Sequence, residues 1–455
     1  MQNHQFDAVV IGAGIIGIST AYYLAKNHGI SRVAIVDRGA PMAFTSAQSG
    51  ENYRNWWPHG AMVDLSNRSI DLMEEIARAS DNVINMTRRG YVLATRDGDA
   101  EQTIRRLGEG LSGGENALIR HHTDSPGRAY QRSDSADWNS APDGVDVLDN
   151  PTLIHSVFPG FDREIRKIVH IRRGGDISAQ QLGEFMLLWF RENGGVRLTG
   201  DVTGVTCAQD FTVDVNTGEG MQKIVAGCLI NAAGPYLQNI AAMLDIELPV
   251  FNVFQQKLAF EDKESAIPRS QPFAIDLDGQ FIDWTDEERE LLQSDGELSW
   301  LTHSMPGAIH CRPDGGETGR WVKLGWAYNA QTSQPSAVLP LDPHFPEIVL
   351  RGAARLNPAL RDYYGRLPRA RHHYGGWYTM TEENWPLIGP MGYAGAFING
   401  AHSGFGSMMA CAAGELCAAW VAGAPLPTYS SKFSIDRVLD PALMTGLRSA
   451  DKGIL

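Results

Sequence analysis

The feature that most constrains the fold is a glycine pattern near the start of the chain. Gly12, Gly14 and Gly17 follow an apolar strand pattern and open a helical pattern, and a second apolar run ends at Asp37. In a strand, turn, helix and strand of this kind, the first glycine permits a tight turn and the second lets the backbone reach a pyrophosphate. The third lets the helix approach the strand. The segment predicts a dinucleotide-binding unit, with a glycine-rich turn that binds no ligand as the alternative.

The helix and the acid also indicate which ligand this unit would bind. The first N–H groups of a helix have no partner within the helix, and together with the helix dipole they favour a bound phosphate. The carboxylate of Asp37 is expected to accept hydrogen bonds from ribose hydroxyls, and it would repel a 2′-phosphate. These features argue against NADP.

Composition and charge limit the class of protein. The 455 residues predict two domains, and a net charge of −14 does not favour binding to nucleic acid or to an anionic membrane. The five cysteines lack CxxC spacing, so reduced thiols are expected rather than disulfides or a metal site. The first strand pattern starts so early that no targeting peptide is expected, which indicates a cytoplasmic protein. Residues 404–424 are apolar but interrupted by glycines and a glutamate, so we expect a buried helix rather than a membrane span.

Further motifs carry a more specific signal. Besides the N-terminal turn, these are Gly-Gly-Asp-Ile at residues 174–177, Asn-Ala-Ala-Gly at 231–234, and two C-terminal segments at 378–390 and 401–415. With these motifs the chain resembles the D-amino-acid oxidase and sarcosine oxidase superfamily of FAD enzymes. The resemblance implies an α/β fold, with a glutathione-reductase-type FAD-binding Rossmann domain and an antiparallel-sheet substrate domain.

The resemblance also implies a discontinuous arrangement of these domains. Residues 1–96, 151–235 and 375–455 are expected to build the FAD-binding domain, the last of them with a C-terminal tail. Residues 97–150 are expected to form an irregular insertion of the substrate domain, and residues 236–374 its antiparallel sheet.

Two of the motifs also favour a flavin site from their residues alone. Small residues at Ala233 and Gly234, after an apolar strand, would let a flat cofactor lie against the backbone, although a strand-terminating turn is the alternative. Residues 402–407 precede an alanine-rich helix, whose N-terminus would stabilise negative charge on a reduced flavin. The alternative there is a capped buried helix.

The resemblance implies noncovalent FAD as the cofactor, because some relatives attach FAD through a cysteine just before the Tyr-Thr of the late motif, and here Gly376 and Trp377 precede Tyr378. The residues expected to bind it are Gly12, Gly14, Ile15, Ile16, Gly17, Asp37, Arg38, Thr45, Ser46, Ser49, Gly50, Val202, Ala233, Gly234, Gly376, Gly404, Phe405, Gly406 and Ser407.

Two of the three candidate catalytic residues follow from the resemblance to sarcosine oxidases. Lys323 matches a Lys-x-Gly pattern whose lysine promotes electron transfer to O2, and a fixed cation there would stabilise superoxide. A lysine at a strand edge is the alternative. His402, like His59, is a possible proton acceptor from its residue type alone, and a structural role is the alternative for each. Arg54 is the expected ligand of a substrate carboxylate, because Met408 stands where relatives have a lysine; for Arg54 the alternative is a surface ion pair with Glu51.

The expected substrate wall consists of Trp57, Trp326 and Trp377, although such aromatic residues are more often part of a core. The predicted function is FAD-dependent oxidation of the C–N bond of a small amine or amino acid, secondary, N-methyl or D-configured. Hydride passes to flavin N5, the imine is hydrolysed, and the electrons go to O2. The alternatives are a 2-hydroxy acid oxidase, a carrier-linked amine dehydrogenase, and an FAD-binding assembly factor without turnover. The sequence is also compatible with a homo-oligomer.

Overall fold

The computed structural model describes residues 4–111, 118–123, 130–133, 138–139, 141–316 and 318–449. The strands, in chain order, are β1 (His4–Ile11), β2 (Val33–Asp37), β3 (Asn52–Arg54), β4 (Tyr91–Thr95), β5 (Ile119–His122), β6 (Val145–Leu148), β7 (Lys167–Ile171), β8 (Gly174–Asp176), β9 (Val196–Thr199), β10 (Asp201–Cys207), β11 (Phe211–Thr217), β12 (Gly220–Asn231), β13 (Phe251–Glu261), β14 (Phe273–Asp276), β15 (Ile309–Asp314), β16 (Trp321–Gly325), β17 (Arg371–Met380), β18 (Leu387–Pro390) and β19 (Ala396–Gly400). The helices are α1 (Ile15–His28), α2 (Gly60–Ala79), α3 (Glu101–Leu107), α4 (Pro151–Val157), α5 (Ala179–Glu192), α6 (Leu237–Ala242), α7 (Asp286–Ser294), α8 (Phe345–Ala354), α9 (Gly406–Ala422) and α10 (Pro441–Ser449).

The first sheet has a parallel centre that is buried on both faces. Its strand order is β10-β11-β12-β1-β2-β9, with β19 also paired to β12, and β18 to β19. β1 runs parallel to β2 and β12. Val10 belongs to one hydrophobic core and Val9 to another on the opposite face. Burial of both faces explains why the strand sequences are continuous apolar runs rather than alternating ones.

The second sheet is the predicted antiparallel sheet, with two exceptions. Its order is β17-β13-β16-β15-β14-β4-β7-β6-β5, and only the pairs β14–β4 and β5–β6 are parallel among the described strands. A separate two-stranded ribbon joins β3 to β8. The mixed α/β architecture agrees with the fold class expected from the sequence.

The sheets divide the chain differently from the expected segments at two places. β4 and β7 lie in the second sheet, although the sequence analysis put them in the FAD-binding segments 1–96 and 151–235. Both strands are fully buried, as a central Rossmann strand would be, and only their pairing partners decide their sheet. The segment 97–150 is not wholly irregular, since it contains α3, β5 and β6. Residues 112–117, 124–129, 134–137 and 140 of that segment lie outside the described part.

Helix α9 is the buried helix expected near the C-terminus. Its side chains are buried along most of its length, and Gly423, with φ 62°, ends it in the left-handed conformation. Glu415, on its less buried side, accepts two hydrogen bonds from Arg68 at 2.7 Å. Among the helices of the described residues, none is long and apolar enough to cross a membrane.

Candidate active site

The N-terminal turn is packed so closely that two of its glycines admit no side chain. Gly12 has φ +114°, and a Cβ built there would lie 2.2 Å from the carbonyl oxygen of Ala232 at the end of β12. A Cβ on Gly17 would lie 2.0 Å from the carbonyl oxygen of Gly12. At Gly14, which caps α1, a Cβ would meet the Ser46 hydroxyl at 3.0 Å. The turn therefore brings bare backbone to the edge of the sheet, as close approach of a phosphate requires.

Asp37 is fixed against this turn by backbone hydrogen bonds. One carboxylate oxygen accepts from the Ala13 N–H at 2.7 Å, and the other accepts from the Gly39 N–H at 2.7 Å. The next residue, Arg38, places its guanidinium 4.1 Å from the ring centroid of Tyr236. The acid is thus held at the carboxyl end of β2, where a ribose bound at this edge would meet it.

Two adjoining cavities open at this edge of the first sheet. The one that we call the turn cavity has a volume of about 1190 Å³, and the one that we call the inter-sheet cavity, which reaches β13 and β17, has a volume of about 780 Å³; both volumes include space open to solvent. They are adjacent, and their walls share six residues, namely Gly14, Thr45, Ser46, Ala232, Gly234 and Pro235.

Most of the residues expected to bind FAD line one cavity or both. The turn cavity has Gly12, Gly14, Asp37, Arg38, Thr45, Ser46, Val202, Ala233 and Gly234 in its wall. The inter-sheet cavity adds Ile15, Ile16, Ser49, Gly50, Gly376, Gly404, Gly406 and Ser407. Gly17 and Phe405 are absent from both walls as described. Gly17 acts through packing, and the Phe405 ring is buried 5.2 Å from that of Trp57.

The N-terminus of α9 forms one side of the inter-sheet cavity. No side chain caps this helix, which starts at Gly406. The hydroxyl of Ser407, in its first turn, lies 2.8 Å from that of Ser49. A Cβ on Gly404 would lie 2.6 Å from the Tyr378 ring, so only glycine lets this ring pack here. First-turn N–H groups and the helix dipole therefore point a partial positive charge towards the cavity.

His402 lines the same cavity and is held in a strained segment. Its neighbours Ala401 and Ser403 have φ of 56° and 47°, in the left-handed region. Its Nε2 lies 3.0 Å from Oδ1 of Asn399, whose side-chain amide donates to two other oxygens, so Nε2 is the protonated nitrogen. Burial lowers the pKa of His402 to about 3. The ring is therefore neutral at ordinary pH, and Nδ1 is a hydrogen-bond acceptor but a weak base.

Lys257 on β13 is a wall residue that sequence analysis missed. Its side chain is 6% exposed, its Nζ is 3.4 Å from the hydroxyl of Tyr378, and the two residues line the inter-sheet cavity together. Gln48, Thr379 and Asn399 were also missed. These side chains reach the cavity only through the pairing of β13 with β17 and the docking of α9, and no local motif marks Lys257.

Lys323 lies on β16, the strand beside β13, and two carboxylates compensate its charge. Its Nζ is 2.6 Å from Glu51 and 3.3 Å from Asp314. Burial alone would raise the pKa of Asp314, but Arg312 and then Lys323 outweigh it and hold the pKa below its usual range. Within the described part of the chain, Lys323 is in neither cavity wall. It is also not the strand-edge lysine of the alternative interpretation, since β16 is paired on both sides.

Arg54 is buried behind the cavity walls rather than in them. Its guanidinium donates to the Tyr91 hydroxyl at 2.8 Å and to the Trp56 carbonyl at 3.1 Å, and it stacks 4.6 Å from the ring of Trp57. The residue is 3% exposed, so the surface ion pair with Glu51 does not describe it either. In this position the Arg54 guanidinium does not line either described cavity, so the structure does not bring it to where a substrate carboxylate would bind.

The three tryptophans expected to contact substrate have different positions. Trp377 lines the inter-sheet cavity. Trp57 packs in the core beneath Phe405. Trp326 lies in the core of the second sheet, where its indole N–H donates to the carbonyls of Pro306 and Gly307 at 3.2 Å. Of the three, the structure places only Trp377 at a described cavity.

The wall chemistry fits FAD. The wall of the turn cavity contains both the glycine turn and Asp37, and the inter-sheet cavity lies beside it, where the ring of a bound dinucleotide would be placed. Three buried wall atoms have no hydrogen-bond partner among the described residues, namely Thr45 Oγ1, Trp377 Nε1 and His402 Nδ1. Two donors and an acceptor of this kind match the polar edge of a flavin or a bound substrate. Such a site, with a Rossmann sheet beside an antiparallel sheet, defines a flavin-dependent oxidoreductase.

Comparison with known proteins identifies the family. A family model described as FAD dependent oxidoreductase (DAO) matches residues 7–420, and the chain belongs to this family of FAD-dependent enzymes. In sequence, the chain is 33% identical to the sarcosine oxidase subunit beta of an Arthrobacter species over 103 residues, which is 22% of this chain and 25% of that protein. It is 23% identical over 316 residues to mouse mitochondrial dimethylglycine dehydrogenase, which is 66% of this chain and 32% of that enzyme. These matches thus span only a quarter to a third of the relatives.

Solved structures share the fold over nearly the whole chain. The L-proline dehydrogenase of P. horikoshii superposes with a TM-score of 0.72 at 18% identity, covering 96% of this chain and 99% of that one. The glycine oxidase of Geobacillus kaustophilus does so with a TM-score of 0.70 at 16% identity and the same coverage.

Proposed function

We propose that the protein oxidises the C–N bond of a small amine or amino acid, with secondary, N-methyl and D-amino acids as the candidate substrates. Bound FAD supplies the hydride acceptor, flavin N5, and water then hydrolyses the imine product. The names of the relatives support this proposal, since sarcosine, dimethylglycine, L-proline and glycine all carry an amine nitrogen next to a C–H carbon. The glycine turn and Asp37 would hold the nucleotide, and Thr45, Trp377 and His402 would contact the ring or the substrate.

The observation that carries the proposal is the charge of the inter-sheet cavity. The cavity wall, as far as the structure describes it, contains Lys257 and no carboxylate. Hydride leaves a carbon beside a neutral amine, not beside an ammonium. A nearby cation and a helix N-terminus disfavour the ammonium form and so lower the pKa of a bound substrate amine. The wall thus promotes loss of the ammonium proton without a dedicated catalytic base.

Oxidation of a 2-hydroxy acid is less well supported by the same wall. That reaction needs a base for the hydroxyl proton. The candidate base, His402, has a pKa lowered to about 3 by burial, so it holds a proton poorly near neutral pH. An assembly factor without turnover would bind FAD but would not be reduced by any amine.

A carrier-linked dehydrogenase is the second candidate function, and one observation favours it. The cation expected to promote reaction with O2, Lys323, is neutralised by Glu51 and Asp314. A compensated charge stabilises superoxide less than a free one.

A cytoplasmic location and a homo-oligomeric state stay predictions from the sequence.

An anaerobic spectral screen tests the proposed function. The FAD-loaded protein is mixed with N-methyl, D- and L-amino acids, simple amines and 2-hydroxy acids, and bleaching of the flavin absorbance is followed. Bleaching by an amine substrate with release of a carbonyl product is expected. Bleaching by 2-hydroxy acids alone, or by none of the compounds, would contradict the proposal. Admitting O2 or an artificial acceptor to the reduced protein then separates an oxidase from a dehydrogenase.

A further inference from the structure

A long connection between β16 and α8 reaches the turn cavity. Residues 326–344 are all described and contain no helix or strand, and one isolated bridge, between Thr332 and Val253, pairs the connection with β13. Connections of more than about 12–15 residues without secondary structure are uncommon in compact domains unless they have a function. In this connection, Ala337 is a residue of the turn-cavity wall.

Ala337 differs in origin from the rest of that wall. The other described wall residues lie within 11–46, 200–202 and 232–240, so they belong to strands of the first sheet and to the turns that follow them. Ala337 instead follows β16, a strand of the second sheet. The second sheet therefore contributes to a cavity that the first sheet otherwise builds.

The start of the connection is fixed along β13. The Asn329 side chain donates to the Phe254 carbonyl at 2.9 Å. The Ser333 N–H donates to the Asn252 carbonyl at 2.9 Å. The side chain of Asn252 in turn donates to the carbonyl of Pro235 at 3.0 Å, and Pro235 lies in the turn-cavity wall. This pairing brings the chain to the edge of the cavity at Ser333.

The end of the connection is fixed as well, while the part between is not. The Asp342 N–H donates to the side-chain oxygen of Gln256 at 2.8 Å, and α8 begins at the buried Phe345. Residues 334–341 make two hydrogen bonds within the described chain, and both join residues of this segment to each other. Residues 334–341 are thus held at both ends and lie across the cavity edge on their own.

The segment 334–341 is apolar where it meets the cavity. Its sequence, Gln-Pro-Ser-Ala-Val-Leu-Pro-Leu, carries no charge, so it would not repel a pyrophosphate. The side chain of Val338, next to Ala337, is 81% exposed, the highest fraction among the large hydrophobic side chains of the described residues. Such a side chain beside a ligand cavity gains burial when the ligand fills the cavity.

We propose that residues 334–341 cover the ADP half of bound FAD, with Ala337 and Val338 against it. This half is the part that the glycine turn and Asp37 would hold in the turn cavity. An apolar cover excludes water from the hydrogen bonds between turn and phosphates, which strengthens them. FAD can leave only when residues 334–341 move away, so the segment slows loss of the cofactor. The inference does not depend on which substrate the enzyme oxidises.

Proteolysis of the wild-type protein tests the inference without a substitution. Elastase cleaves after small apolar residues, and Ala337 and Val338 are exposed residues of this kind. The protein freed of FAD is digested alone, with ADP, with riboflavin and with FAD, and mass spectrometry locates the cuts. FAD and ADP should slow cleavage after both residues by about 10-fold or more, because the covered segment must open before it is cut. Riboflavin, which lacks the ADP half, should not.

Cleavage after Val438 is the internal control for general stabilisation by a ligand. This residue is 43% exposed and lines neither described cavity wall. Equal protection by ADP and riboflavin, or protection after Val438 as strong as after Ala337, would overturn the inference. Cleavage after Ala337 that FAD does not slow would also overturn it, and would leave the exposed side chains as a surface for another molecule.

Val338→Asp measures the contribution of one side chain. The FAD-loaded variant is diluted into buffer without FAD, and the rise of flavin fluorescence gives the rate of FAD release. Release should be roughly 10- to 100-fold faster than in wild type, the factor that corresponds to full burial of a valine side chain. Val338→Ile should keep the wild-type rate.

Leu439→Asp is the matched control for this substitution. It places the same charge at another apolar side chain, 77% exposed, that lines neither described wall. It should release FAD at the wild-type rate. An unchanged release rate in Val338→Asp, or equal acceleration in both variants, would contradict the inference.

Discussion

Replacing Gly17 by alanine tests the packing that shapes the cofactor turn. The added Cβ would lie 2.0 Å from the Gly12 carbonyl oxygen and 3.1 Å from its carbonyl carbon. Real Cβ atoms are essentially never nearer than 3.0 Å to another heavy atom, so helix and turn must separate by about 1 Å. Both are backbone, and no flexible side chain can yield. Overpacking costs about 1–3 kcal/mol, and a clash between two backbone segments belongs at the upper end of that range, above the gain of about 1 kcal/mol from alanine in a helix.

The expected result for Gly17→Ala is a melting temperature lower by about 2 °C, since a net loss of about 2 kcal/mol is divided by an unfolding entropy of about 1 kcal/mol/K for a chain of this length. FAD binding should also weaken, because the first N–H groups of α1 move away from the phosphates. Differential scanning calorimetry and the ratio of flavin to protein absorbance measure the two effects. Gly446→Ala in α10 is the control, since apart from its two chain neighbours and the backbone of α10 no atom of the described residues lies within 4 Å of a Cβ built there. It should be neutral or slightly stabilising. A Gly17→Ala protein with unchanged melting temperature and full FAD content would refute the packing argument.

Three further predictions follow from the charges and thiols. FAD is expected to leave the protein on acid or heat denaturation, because the five cysteines are free and none lines the described cavities; flavin that stays on the denatured chain would contradict this. Burial lowers the pKa of His170, His310 and His402 to about 3, 4 and 3 from 6.5, so below pH 6.5 only the unfolded chain takes up these protons. Stability should therefore fall as pH drops from 6.5 to about 4, by about 1.4 kcal/mol per pH unit for each histidine, and urea midpoints that do not change between pH 7.5 and 5 would exclude this. Lys323→Met should change the rate of flavin reoxidation by O2 less than about threefold, since Glu51 and Asp314 compensate the lysine. A hundredfold loss in stopped-flow reoxidation would show that the ammonium acts on the flavin.

The sequence was most successful in predicting the positions of residues that belong to one local unit of the chain. Gly12, Gly14 and Asp37 act within one strand, turn and helix unit, and their order alone indicates their positions. The fold class followed from motifs spread along the chain. The sheet to which β4 and β7 belong could not be predicted from motifs, because buried strands have similar sequences in either sheet.

The charged residues of the site were harder to predict, because each depends on a distant partner. Glu51, which compensates Lys323, is 272 positions away in the sequence. Tyr91 holds Arg54 from another strand. Lys257 carries no motif, and its position over the cavity arises only when β13 pairs with β17. Single-sequence patterns show which residues are charged, but not which charges are paired.

The inter-sheet cavity has a consequence for how the enzyme is made. Its wall combines Gly14, near the start of the chain, with Ser407 on α9, and β19 must also dock beside β12. A ribosome adds about 5–20 residues per second, so the two sides of the wall emerge tens of seconds apart. The ring of the flavin therefore has no complete binding surface until almost the whole chain has been synthesised and its C-terminal part has folded back. Capture of the flavin ring is therefore expected late in biogenesis, after the C-terminal part has folded back.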